Sequence, residues 1–116
     1  MTRYKWLVFT NCTPGREDDY DRWYDEIHLG DLLRVPGITR AYRSTLTPAQ
    51  ATMETGEIEL CGPERIGARF RYLAIYEFAA DDPNTVLGDI QRRANTPEME
   101  ISPYLGEAYT VLYEDR

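Results

Sequence analysis

Histidine and cysteine, the side chains that most often carry metal or nucleophilic chemistry, are nearly missing from this 116-residue chain, which has one His and two Cys. Cys12 and Cys61 lie far apart, with no CxxC spacing and no companion histidines, so neither a zinc site nor a redox pair is indicated and both are expected as reduced thiols. Positive charge is also scarce. Thirteen Lys and Arg against twenty Asp and Glu give a formal net charge of −7. That balance argues against sequence-independent binding to DNA or RNA, which needs a basic surface to displace counterions from phosphates. No apolar run approaches the ~20 residues a bilayer requires, and the first residues show no charged region followed by an apolar one. Neither a membrane nor a nucleic-acid partner is expected, and the reading is cytoplasmic.

What is present suits one globular domain over residues 1–116: 42% of residues are hydrophobic and 28% charged. Residues 4–11, YKWLVFTN, read as a nearly continuously buried strand ending at Thr13-Pro14-Gly15. Thr13 is the expected N-cap of a helix whose first turn holds Glu17, Asp18 and Asp19 at the positive end of its dipole. Tyr20, Trp23, Tyr24 and Ile27 follow i, i+3, i+4, i+7 spacing and form its apolar stripe. Gly30 is expected to interrupt the helix and Pro36-Gly37 to end it. Further strands are expected over 38–46, 70–78 and 108–114, with a second helix opened by Asp81-Asp82-Pro83 and striped by Val86, Leu87 and Ile90. Residues 47–69, rich in Gly, Pro and acid, read as a long loop or lid.

The order β-α-β-β-α-β predicts an α+β, ferredoxin-like fold: a four-stranded antiparallel sheet with both helices on one face. In the third strand both alternating sets of side chains contain large apolar residues, so the face without helices also wants cover. A homodimer with its two sheets packed face to face, enclosing a cavity, supplies it.

The stretch TPGREDDYDRWYDEIHLGDLLRVPGITRAYR carries a resemblance. A Pro14-Gly15-Arg16-Glu17 opening, Trp23-Tyr24 followed by two acids and His28-Leu29, then Asp31 and Val35-Pro36-Gly37, resembles the EthD-like members of the dimeric α/β-barrel superfamily. The likeness covers residues 4–43; beyond them only the order of elements agrees. Gly30 departs from a position where relatives often carry proline, and the 47–69 segment is longer than in a minimal member. The resemblance implies the dimeric barrel and a pocket lined by the histidine. Because the superfamily spans cofactor-free monooxygenases, polyketide cyclases, lactone isomerases and haem-degrading enzymes, it does not choose the chemistry.

His28 sits about 80° from Tyr20 on a regular helical wheel, at the margin of the apolar stripe, where an imidazole can take or give a proton near neutral pH. Asp25 and Asp31, three residues before and after it, are each placed to hold one ring nitrogen. Of nine tyrosines, Tyr42, Tyr72, Tyr76 and Tyr109 fall on expected strands; Tyr72 and Tyr76 share a face and are candidates to stabilise an enolate oxygen. Asn11, Trp23, Tyr24, Arg40 and Tyr42 are candidate substrate contacts, with Arg40 suited to a carboxylate if it points inward. One histidine among scattered acids gives no metal-ligand spacing, and no cofactor is expected. The leading expectation is a cofactor-independent isomerase- or cyclase-type enzyme acting on a small aromatic, polyketide or ring-opened aromatic acid. The alternatives are a cofactor-free monooxygenase of a phenol, a non-catalytic small-molecule-binding dimer, and a purely structural dimer.

Overall fold

The computed structural model describes residues 1–116, and its strands form where β-branched and aromatic residues concentrate. The elements are β1 (Thr2–Cys12), α1 (Glu17–Trp23), a π-helical turn (Tyr24–His28), α2 (Leu29–Leu33), β2 (Ile38–Thr45), β3 (Gln50–Thr52), β4 (Glu59–Cys61), β5 (Tyr72–Ala80), α3 (Pro83–Arg93) and β6 (Leu105–Glu114). Four strands pair antiparallel in the order β2-β5-β1-β6. With the small β3-β4 hairpin set aside, this is the ferredoxin-like βαββαβ topology the sequence predicts. No helix is long and apolar enough to cross a membrane.

Register decides which side chains meet. Tyr4, Trp6, Val8 and Thr10 of β1 stand opposite Phe78, Tyr76, Ala74 and Tyr72 of β5, all on the face that carries the helices. There they bury with Tyr20, Tyr24, Leu32, Val35, Val86, Ile90 and Met99. Each large side chain removed from water in this layer contributes about 1.5–3 kcal/mol. The other face presents Leu7 and Phe9 opposite Ile75 and Leu73, flanked by Tyr42, Val111, Tyr109 and Tyr113. Tyr109 and Tyr113 remain 55% and 59% exposed. The molecule is 18 Å thick along its shortest axis, the depth of one sheet and one helical layer at about 10 Å each. Nothing in the chain covers the second face.

Several local expectations need correction. The long 47–69 segment is not a structureless loop: Gln50, Ala51 and Thr52 pair with Cys61, Leu60 and Glu59 in a hairpin, and Arg65 ties its two arms through Glu54 at 2.9 Å and Glu59 at 3.2 Å. Thr13 does not cap α1. Its hydroxyl donates to the Tyr104 carbonyl at 3.3 Å, and the helix begins four residues later, where the Glu17 carboxylate accepts the Gly15 N–H at 3.2 Å. Gly30 lies within α2 rather than breaking the helix. At the other end of that helix Gly37 is required: φ is +101°, and an added Cβ would lie 3.1 Å from the Val86 side chain and 3.4 Å from the Ala79 carbonyl. Asp82 does cap α3, its carboxylate accepting the Asn84 N–H at 2.9 Å with Pro83 in the first turn.

Candidate functional site

The helix that leads to His28 is anchored first by Tyr20, which is fully buried against the sheet and shares a 2.6 Å hydrogen bond with the Thr10 hydroxyl on β1. A regular helix continuing from Tyr20 would carry Ile27 inward. Instead the Leu29 N–H donates to the Tyr24 carbonyl, five residues back, and the wider turn absorbs one extra residue. The phase shifts by one position: His28 takes the place a regular helix gives to the seventh residue after Tyr20, about 20° from it rather than about 80°. His28 is accordingly buried and Ile27 is 49% exposed. The same turn brings together Trp23 and His28, which would point ~140° apart on a regular helix. Their rings stack with centroids 4.4 Å apart and planes 23° apart, and Tyr24 meets the imidazole edge-on at 5.0 Å.

Long-range partners hold this turn. Tyr76 on β5 donates its hydroxyl to that of Tyr24 at 3.0 Å. The Trp23 indole N–H donates to the Glu100 carbonyl at 3.1 Å. Arg43, on the helix-facing side of β2, bonds Asp21 and Asp25 at 2.9 Å each. Its guanidinium also lies over the rings of Tyr24, Tyr72 and Tyr20, with 4.4, 5.2 and 5.7 Å to the centroids. One cation, four phenols, one imidazole and one indole thus form a continuous polar and aromatic layer between helix and sheet.

Three buried atoms in that layer have no hydrogen-bond partner: His28 Nδ1, Tyr72 Oη and Arg43 Nε. A buried polar atom left unpaired costs about 1–3 kcal/mol. Removal from water pushes the His28 imidazole from 6.5 down to about 4, so it is neutral at physiological pH. Burial likewise raises the phenols of Tyr20, Tyr24, Tyr72 and Tyr76 above their ordinary value, and all four are protonated. The site therefore holds phenolic hydroxyls, a fixed cation and a neutral imidazole whose buried Nδ1 is unpaired.

The predicted residues are redistributed. His28, Trp23, Tyr24, Tyr72 and Tyr76 meet in this layer. Tyr72 and Tyr76 do share a face, but it is the helix-covered one, so they do not point into a cavity between two sheets; strand alternation cannot say which face the helices take. The expected pairing of His28 with a carboxylate is not formed, because Asp25 is held by Arg43 and Asp31 by Arg34 at 3.0 Å. Arg40 and Tyr42 lie on the open face, Arg40 stacked over Tyr42 at 4.3 Å and 3.6 Å from Glu77, with most of its side chain in solvent. Asn11 serves as a clasp: its amide donates to the Arg69 carbonyl at 3.0 Å and accepts the Arg71 N–H at 2.9 Å. Phe70 precedes β5 and stacks on the open side, 6.2 Å from Phe9 and 6.4 Å from Tyr109. Tyr20, Thr10 and Arg43 were not among the candidates. The acids at 21 and 25, like charges one helical turn apart, are the signal that a cation from another element was needed. No three His, Cys, Asp or Glu side chains converge in a geometry that could hold a metal ion.

No protein-family model matches the sequence, and no curated protein does. Among solved structures the fold is similar to that of an ethyl tert-butyl ether d (EthD) family protein from Bacillus halodurans C-125, at 12% identity over all of both chains and a TM-score of 0.47. It is also similar to the GlnK–ATP complex of B. subtilis, at 17% identity over 98% of this chain and 82% of that one, with a TM-score of 0.39. Both are likenesses of fold and carry no argument about chemistry.

Proposed function

We propose that the protein acts as a homodimer, with its open sheet faces together, and moves a proton on a small aromatic, polyketide or ring-opened aromatic acid, using His28 as the base and no cofactor. The observation that carries the reading is the free, buried Nδ1 of His28, delivered into a layer of hydroxyl donors by a π-turn, a distortion that recurs at functional sites. An imidazole with a pKa of about 4 is wholly in its free-base form near neutrality but is a weak base. An anionic substrate beside the ring favours the imidazolium and brings its pKa back toward the working range, which makes an acid the fitting substrate class. The hydroxyls of Tyr24 and Tyr72 then serve as donors to an enolate oxygen, with Tyr76 donating to the Tyr24 oxygen behind them. Trp23 covers one face of the imidazole, so substrate reaches Nδ1 by displacing the indole from its bond to Glu100. Dimerisation is supported by the apolar face of Leu7, Phe9, Leu73, Ile75 and Val111, which nothing in the chain covers.

The test incubates the protein in D2O with arylacetic acids, aryl β-keto acids and a muconolactone, and reads deuterium incorporation and isomerisation by NMR. Turnover that falls about 10²-fold or more in His28→Leu supports the reading, since general acid–base catalysis contributes about 10²–10⁴. A variant within a few-fold of wild type overturns it. The depressed basicity of His28 favours one second reading, a dimer that binds such acids without turning them over; it is marked by saturable binding with no exchange. Oxygen consumption with a phenolic acid would instead assign oxygenase chemistry.

A further inference from the structure

The helix-bearing face of the sheet is not covered to its edge. β6 is an outer strand, and register sets Trp6 opposite Leu112 and Val8 opposite Thr110, so Trp6 and Thr110 are diagonal neighbours on that face. α3 packs over β5 rather than over the edge strand. Between the helix and β6 lies a groove of about 680 Å³, lined by Trp6, Asn84, Leu87, Ile90, Gln91 and Thr110 among others. It opens on the side of the sheet away from the dimer face proposed above.

No residue lining the groove is charged, although 28% of the chain is. α3 keeps its charges to themselves: Asp89 bonds Arg92 at 2.5 Å and Arg93 at 3.2 Å, and Arg93 reaches Glu98 at 3.3 Å. Asn84, Leu87 and Gln91 fall within an arc of about 60° on the same helix and form the flank that borders the groove. The polar groups there are unspent. Elsewhere the Trp23 indole donates to the Glu100 carbonyl, and the carboxamides of Asn11 and Gln50 donate to the carbonyls of Arg69 and Thr47. The side chains of Trp6, Asn84, Gln91 and Thr110 make no hydrogen bond within the protein. Trp6 is nevertheless held, half-buried, with its ring centroid 5.7 Å from that of Tyr76.

These groups select against charge and for hydroxyls. A charged ligand would give up hydration here with no counterion in reach. Each carboxamide presents one acceptor and two donors, and the threonine hydroxyl both donates and accepts, which matches neighbouring hydroxyls that do the same. The indole adds an apolar face beside a polar N–H. We propose that the groove binds a neutral sugar, with the C–H face of one pyranose ring on Trp6 and ring hydroxyls bonded to Asn84, Gln91 and Thr110. Its volume lies within the range of about 300–1,000 Å³ common to small-molecule sites. The inference stands apart from the proton chemistry assigned to His28 and does not need an acidic substrate.

The probes are the methyl glycosides of glucose, galactose and mannose, titrated into the ¹⁵N-labelled full-length protein, with glucuronate and nicotinamide as counterparts. Saturable binding of at least one glycoside is expected, with shifts centred on the Trp6 indole N–H and the side-chain amides of Asn84 and Gln91, while the Trp23 indole N–H stays in place. Glucuronate, which keeps the ring and adds a charge, and nicotinamide, which is flat and lacks hydroxyls, are expected to bind more weakly. Asn84→Ala and Gln91→Ala are exposed helix positions that accept alanine. Each should weaken the glycoside about threefold to tenfold, the worth of one hydrogen bond, while Arg92→Gln, outside the groove, leaves binding unchanged. The proposal is overturned if none of the glycosides saturates, if the shifts map elsewhere, if both alanine variants bind as wild type does, or if glucuronate or nicotinamide binds the groove as tightly.

Discussion

Replacing His28 with leucine isolates the electrostatics of the site because the chain has no other histidine. In the unfolded chain the imidazole titrates near 6.5; in the folded protein its burial lowers that to about 4. Between those values the unfolded state holds the extra proton, so wild-type stability falls as pH drops from 6.5 toward 4. The loss is at most ~1.4 kcal/mol per pH unit and about 3 kcal/mol across the window. His28→Leu lacks this term, while the carboxylates titrate in both proteins and cancel in the difference. The stability advantage of the variant over wild type should therefore be about 3 kcal/mol larger at pH 4 than at pH 7.5. At pH 7.5 the two should be close, because removing an unpaired buried nitrogen gains about 1–3 kcal/mol and losing the stack on Trp23 costs about 0.5–1.5. Urea unfolding followed by tryptophan fluorescence, at one fixed protein concentration from pH 4 to 7.5, measures the difference. Parallel stability curves for the two proteins, or a histidine proton resonance with a midpoint near 6.5, would refute the buried, neutral imidazole.

Arg43→Gln removes two charge-assisted bonds to the helix and the cation beneath three tyrosine rings. Because Asp21 and Asp25 are partly solvated and can rehydrate, the expected loss is about 2 kcal/mol in urea unfolding, accompanied by changed fluorescence of Trp23 as the π-turn loosens. Gly37→Ala forces a side chain onto a backbone with φ of +101° and against Val86, and should cost about 1–3 kcal/mol by the same assay; full stability would show that the turn can relax.

Period and punctuation in the sequence were enough for the frame. The apolar runs of β1 and β5, the Asp82-Pro83 opening of α3 and the Pro36-Gly37 stop are local signals, and each acts within a few residues. The order of elements then implied the ferredoxin-like topology, and the two apolar sides of β5 announced a sheet that wants cover on both faces. The site was legible only in part. His28, Trp23 and Tyr24 stood out as a cluster, but YDEIH reads as ordinary helix, in which Ile27 points inward and His28 sits at the margin. The π-turn exchanges them, and it is secured by Tyr76 on β5 and Arg43 on β2, partners more than a dozen residues away that no local pattern announces. Of the carboxylates expected for His28, Asp25 was claimed by Arg43 on β2, which spacing along one helix cannot record, whereas Asp31 was claimed locally by Arg34 three residues on. Which face of the sheet the helices cover is likewise invisible to alternation, since both faces of β5 are apolar. Chain composition and periodicity thus determined the elements and their order, while the phase of one helical turn and the partners of its charges were decided by packing between elements.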